Sequence, residues 1–149
     1  MAAAFFMSIF FQCFGNTICM ILRFVIFGAV GLIMEVIWTG LGSLLLERDF
    51  KASSRTSLWM FFIYGSAAFM TPMIQMVYPL HWVLRGAVYA LAIFAVEYTA
   101  GSLLKRADIC PWDYSDNKYN IHGVIRLDYA PVWLVMGLVL EFIHMSFFI

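Results

Sequence analysis

Cys110-Pro111-Trp112-Asp113-Tyr114-Ser115-Asp116, followed by Asn120, Gly123, Leu127, Tyr129, Pro131 and Trp133, is the longest polar interval in an otherwise almost wholly apolar chain. It decides the fold, because the runs on both sides are long and apolar enough to be helices that cross a membrane. Of 149 residues, 64% are hydrophobic and 12% charged, against roughly 45–50% and roughly 25% in a soluble domain. So short a chain cannot hide that excess in a core of its own, and lipid has to cover it. Membrane lipids are therefore the expected surroundings. Nine basic and nine acidic residues cancel, so no basic surface argues for nucleic acid. Cys13, Cys19 and Cys110 are odd in number and form no CxxC pair, which indicates neither a disulfide framework nor a zinc site. Small apolar filler is their expected use. No motif names a cofactor or a metal, and both stay open.

Working outward from the polar interval, 131–149 reads as a span that opens on Pro131, a residue suited to a first helical turn. On the other side, 82–104 reads as a span stopped by Lys105-Arg106. Further back, 58–80 has no charge and contains Pro72, and 24–46 is interrupted by a single ionisable residue, Glu35. Residues 1–22 are a charge-free piece broken at Gly15-Asn16. Its first part is shorter than the roughly 20 residues a spanning helix needs, so it reads as interfacial or re-entrant. The expected fold is all-α: a polytopic, single-domain bundle of four transmembrane helices with a short apolar N-terminal segment and one structured loop, 105–130. Seven of the nine Lys and Arg (Arg48, Lys51, Arg55, Lys105, Arg106, Lys118 and Arg126) fall in the two long connections. The positive-inside rule then puts both connections, including the Cys110 loop, in the cytoplasm.

Three spans carry a glutamate inside an apolar run, and such a side chain costs roughly 2.5–3.5 kcal/mol at mid-membrane. At about 1.5 Å per residue, Glu35 lies about 16 Å from the outer end of its span, Glu141 about 15 Å and Glu97 about 10 Å from their inner ends. All three are expected to reach a common layer. Gly28, Gly31, Thr39 and Gly42 share a face with Glu35, while Gly86, Ala90 and Gly101 flank Glu97, and Gly137 and His144 flank Glu141. Small residues let helices approach and turn the polar ones toward each other. Tyr64 and Gln75 extend the polar seam from the second span. One reading is a shared site for a proton, a cation or an amine-bearing ligand, built from Glu35, Glu97, Glu141, Tyr64, Gln75 and His144. The plainer reading has neutral glutamates that only bond across to Tyr64, Gln75, His144 or backbone carbonyls.

In the loop, Cys110 beside Asp113 suggests a nucleophile, but a neighbouring carboxylate disfavours the thiolate that chemistry needs. A structured cap is favoured instead. Pro111 fixes one backbone angle, Trp112 and Tyr114 anchor at the interface, Asp113 accepts turn N–H groups, and Asn120 and Gly123 permit a second tight turn. Two other functions stay open. One is a lipid-modifying enzyme that uses Glu97 and Asp113 as acid/base or metal ligands. The other is a non-catalytic accessory subunit. A homodimer or a larger membrane complex would enclose more volume than four helices do.

Glu35, Phe62-Ile63-Tyr64-Gly65, Glu97-Tyr98-Thr99-Ala100-Gly101, the block 110–115, Asn120, Gly123, Leu127, Tyr129, Trp133 and Glu141 together resemble a known set of proteins. It is the bacterial family labelled putative ABC-transporter type IV, permease-like, with related small animal multi-pass transmembrane proteins. The resemblance runs from about the first span to the C-terminus. It implies a small polytopic membrane protein associated with transport, in a bacterial cytoplasmic membrane. The sequence carries no GxxxxGK[ST] P-loop, so ATP hydrolysis by that route is not its own task.

Overall fold

The computed structural model describes residues 17–46 and 48–148. Among them are four helices long and apolar enough to cross a membrane: Thr17–Leu46, Leu58–Val77, Trp82–Arg106 and Leu127–Phe147. The chain divides into two compact units, Met1–Phe69 and Met70–Ile149. The interfacial or re-entrant piece expected at the N-terminus lies outside the described residues up to position 16. Its last part, 17–22, instead forms the opening turns of the first helix.

In the first unit, α1 (Thr17–Leu46) packs against α2 (Leu58–Gly65). Glycines set the approach: a Cβ on Gly31 would fall 2.1 Å from Tyr64 Cγ, and one on Gly28 would fall 2.8 Å from the Phe61 carbonyl oxygen. Phe24 meets Phe61 edge-on, with ring centroids 5.9 Å apart. The 30 residues of α1 extend for about 45 Å, more than the roughly 30 Å hydrocarbon core requires. The excess is flanked by the connection 48–57, which folds back along the helix. A Cβ on Gly40 would sit 3.3 Å from the Ala52 carbonyl oxygen, and Arg55 N donates to Thr39 Oγ1 at 3.2 Å. Ser57 then caps α2 by accepting from Trp59 N. Cys19 departs from the expected role of apolar filler, since it is disulfide-bonded.

The span 58–77 is not one α-helix. A 3-10 segment, Ser66–Met70, separates α2 from α3 (Thr71–Val77). Pro72 explains it: the residue has no N–H to donate and its ring collides with the carbonyl four residues back, so the chain tightens upstream.

In the second unit, α4 (Trp82–Arg106) pairs with α5 (Ala130–Phe147). A Cβ on Gly137 would fall 2.3 Å from Tyr89 Cβ, and one on Gly86 would fall 2.5 Å from Leu134 Cγ. Tyr89 also closes a small core with Ile74 and Val77 of α3. His81 caps α4 through Nδ1, and Pro131 stands in the first turn of α5. Between these helices runs a short antiparallel hairpin, β1 (Asn120–Ile121) and β2 (Ile125–Arg126), and β2 packs against α4. His122 (φ 53) and Gly123 (φ 68) are the central residues of its turn, closed by Val124 N donating to Ile121 O at 3.1 Å. Positive φ at both positions suits the twist of a tight hairpin.

Candidate functional site

The polar side chains of the second unit fall into two layers and a cap. In the first layer, Arg85 Nη2 lies 3.0 Å from Glu141 Oε1, and the Tyr89 hydroxyl donates to Glu141 Oε2. Arg85 and Tyr89 are one turn apart on α4, which places both on the face toward α5. Glu141 and Tyr89 are buried. Arg85 also donates through Nη1 to the Tyr78 carbonyl at 3.0 Å, and its guanidinium lies 5.0 Å from the centre of the Tyr78 ring. A carboxylate within an apolar helix pair is thus met by a cation and a hydroxyl, the arrangement that offsets desolvation.

In the second layer, buried Glu97 accepts from Trp133 Nε1 at 3.2 Å. Eight residues separate Tyr89 from Glu97 and Trp133 from Glu141, so the two layers are about 12 Å apart along the helices. Glu97 and Glu141 therefore do not share the single layer expected from counting residues, because that count started from span ends and not from the helix register. His144 is fully buried on α5, with its ring stacked on Phe148 at 6.2 Å. Gln75 is half-buried on α3.

Glu35 and Tyr64 belong to the first unit. Glu35 Oε2 accepts from Thr56 Oγ1 at 3.0 Å. The carboxylate expected deep in its span is thus reached by the polar connection just ahead of α2. Tyr64 is buried against Gly31.

The cap is held by bonds among its own residues and to α4. Trp112 Nε1 donates to the Val124 carbonyl at 3.0 Å, and both residues lie over Gly101 of α4, where a Cβ would meet Val124 Cβ at 3.0 Å. Asp113 Oδ1 accepts from Ser115 Oγ at 2.6 Å, from Ser115 N at 3.1 Å and from Lys105 Nζ at 3.1 Å. The Ser115 hydroxyl first and the Lys105 ammonium second hold this carboxyl down at about 2. Asn120 donates to the Ser115 carbonyl at 3.2 Å and accepts from Gly123 N at 2.9 Å. Tyr114 N donates to the Gly123 carbonyl at 2.9 Å. Any side chain on Gly123 would strike Ser115 Oγ (2.4 Å), Lys105 Nζ (2.5 Å) and Asp113 Oδ1 (2.7 Å). Pro111 stands at a bend, and the Cys110 thiol, a free cysteine, donates to the Trp112 carbonyl at 3.2 Å. Cys110, Trp112, Asp113 and Asn120 thus each use a side chain to hold the loop.

Residues 22–148 match the family described as "Putative ABC-transporter type IV". The chain belongs to that family. The match takes in the four apolar helices and the cap, so this family member is an integral, multi-pass, transporter-like membrane protein. No solved structure matches the chain. Among its described residues, no three His, Cys, Asp or Glu side chains gather as metal ligands do.

Five contributors carry little signal in the sequence. Arg85 lies near the start of the span 82–104, and a base inside a span requires an acidic partner. Tyr89, at i+4 from it, was not singled out. His122 received no role, yet its Nδ1 lies 2.8 Å from the Tyr98 hydroxyl and its carbonyl accepts from Lys105 at 3.2 Å. Val124 and Ile125 are buried inside the polar interval, with the short β-branched run as their only signal.

Proposed function

We propose that this is a permease-like, transport-associated membrane protein whose intramembrane carboxylates receive a proton, a cation or an amine-bearing ligand, with Glu141 as the responsive group. The observation that carries the reading is the Arg85–Glu141–Tyr89 cluster within an apolar helix pair. A charge is kept in such a place at a cost, and function is its default explanation. Arg85 already occupies the position that an arriving cation would take. Binding is therefore an exchange: a proton or cation at Glu141 displaces Arg85, which still has the Tyr78 and Leu80 carbonyls as acceptors. Tyr89 keeps the carboxyl oriented throughout.

Native mass spectrometry of the chain released from nanodiscs, for wild type, Glu141→Gln and Arg85→Gln, tests the exchange. A bound amine or metal lost in Glu141→Gln and retained more strongly in Arg85→Gln supports it. Equal occupancy in all three refutes it.

A second reading has its own support: both Glu141 oxygens are taken by groups of the chain itself. On that view the cluster only pins α4 to α5 in a non-catalytic accessory subunit, and Glu141→Gln lowers stability without changing ligand content. Of the carboxylates considered for an enzyme, Glu97 accepts from Trp133 and Asp113 from Lys105 and Ser115.

A further inference from the structure

We propose that the apolar face of the hairpin, formed by Tyr119, Ile121 and Leu127, is a lipid-docking surface lying at the boundary between phospholipid headgroups and acyl chains. The register sets the face. Asn120 pairs with Arg126 and Ile121 with Ile125, and Leu127 N donates to the Tyr119 carbonyl at 3.0 Å. Side chains alternate along a strand and opposite residues share a side. Tyr119, Ile121, Ile125 and Leu127 therefore point one way, Asn120 and Arg126 the other. The polar side is engaged within the cap, Asn120 with Ser115 and Gly123, Arg126 with Asp128 and Tyr129. On the apolar side Ile125 is buried, while Tyr119 is 55%, Leu127 47% and Ile121 37% exposed.

Depth decides what covers these three. The hairpin does not stand beyond the end of α4 but leans on its flank, through Tyr98 with His122, Gly101 with Val124 and Lys105 with the His122 carbonyl. Those contacts occupy the last about 12 Å of the helix. With 25 residues, α4 is about 37 Å long, against a hydrocarbon core of about 30 Å. Set at the Lys105-Arg106 end, the excess of about 7 Å carries the last turn of α4 into the headgroup region, where Leu103 is exposed. Water at that depth would leave an apolar face bare. Hydrocarbon would leave the outer edges of a two-stranded hairpin without hydrogen-bond partners. The boundary satisfies both, with side chains directed to acyl chains and backbone edges to headgroups and their water. Tyr119 is a residue type enriched at that level. Lys118 Nζ, 5.5 Å from the centre of the Tyr119 ring, is placed to reach up to phosphate while its stem stays on the ring.

Carbene footprinting of the wild-type chain, one copy per phosphatidylcholine nanodisc, tests this without any substitution. One probe partitions into acyl chains, a second is water-soluble, and labelled positions are mapped by mass spectrometry. The expected result is that Tyr119, Ile121 and Leu127 take several-fold more label from the lipid phase than from water, as Leu103 does, while Asn117 and Lys118 show the reverse. Labelling of the three residues from water alone overturns the proposal. So does protection from both probes, which would mean that protein covers the face.

Discussion

Replacing Gly137 with alanine puts one methyl group where α4 and α5 have no room for it. The new Cβ would stand 2.3 Å from Tyr89 Cβ, and a Cβ cannot rotate away as the far end of a side chain can. Carbon atoms settle about 3.5–4.0 Å apart, so the helices must part by more than about 1 Å at this point. Overpacking of that kind costs about 1–3 kcal/mol. The same displacement draws Tyr89 away from Glu141, whose hydrogen bond to a charged group is worth about 1.5–3 kcal/mol. Against both stands about 1 kcal/mol gained from the better helix propensity of alanine. The net expectation is a loss of about 1.5–5 kcal/mol. Gly42→Ala is the matched control, because a Cβ there meets nothing within 4 Å. It should range from neutral to about 1 kcal/mol more stable. Equilibrium unfolding in mixed detergent–SDS micelles compares the two. Equal midpoints and slopes for Gly137→Ala and Gly42→Ala would refute the claim that this contact fixes the helix pair.

Three further outcomes follow from the same geometry. Glu141→Leu leaves Arg85 without its carboxylate and should cost about 3 kcal/mol, whereas adding Arg85→Met should restore most of the loss; additive effects in that double-mutant cycle would show that the pair is not coupled. Gly123→Ala should loosen the cap, since φ 68 and three polar atoms within 2.7 Å oppose a side chain, with faster amide exchange at Tyr114 and unchanged exchange in the middle of α5 as the readout. Asp113 is held at about 2 against its usual 3.8, a depressed carboxyl. Its contribution to the cap is therefore complete above about pH 4 and fades as pH falls through about 2. Amide exchange at Ser115 followed from pH 6 to pH 2, after correction for intrinsic rates, should show that loss in wild type and not in Asp113→Asn.

Composition alone dictated a membrane bundle, because 64% hydrophobic residues in 149 positions leave no soluble alternative. Span positions came from apolar run length, which reports where lipid must be and not where a helix changes pitch. Hence the 3-10 segment before Pro72 was not foreseen although Pro72 itself was noted. The cap residues were legible because Pro, Asn, Gly and Asp have few reasons to cluster other than turn chemistry. Pairings were not legible. Counting at 1.5 Å per residue ranks depth along each helix, but which side chains meet depends on rotation and on the register between helices. Those are set by close contacts such as Gly137 with Tyr89. Glu35 illustrates the gap: run length placed it in the core, yet the chain beyond Leu46 folds back and brings Thr56 to it.

Trp133 stands at a junction. Its indole N–H serves Glu97, and its ring meets Tyr129 edge-on at 6.2 Å, which in turn meets Tyr114 of the cap at 6.1 Å. The protein thus carries its own optical reporter. A change of charge at Glu97 alters the field along the indole and shifts its emission. A movement of the cap arrives at the same chromophore through Tyr129. Other tryptophans emit as well, so the signal is read as the difference that Trp133→Phe removes.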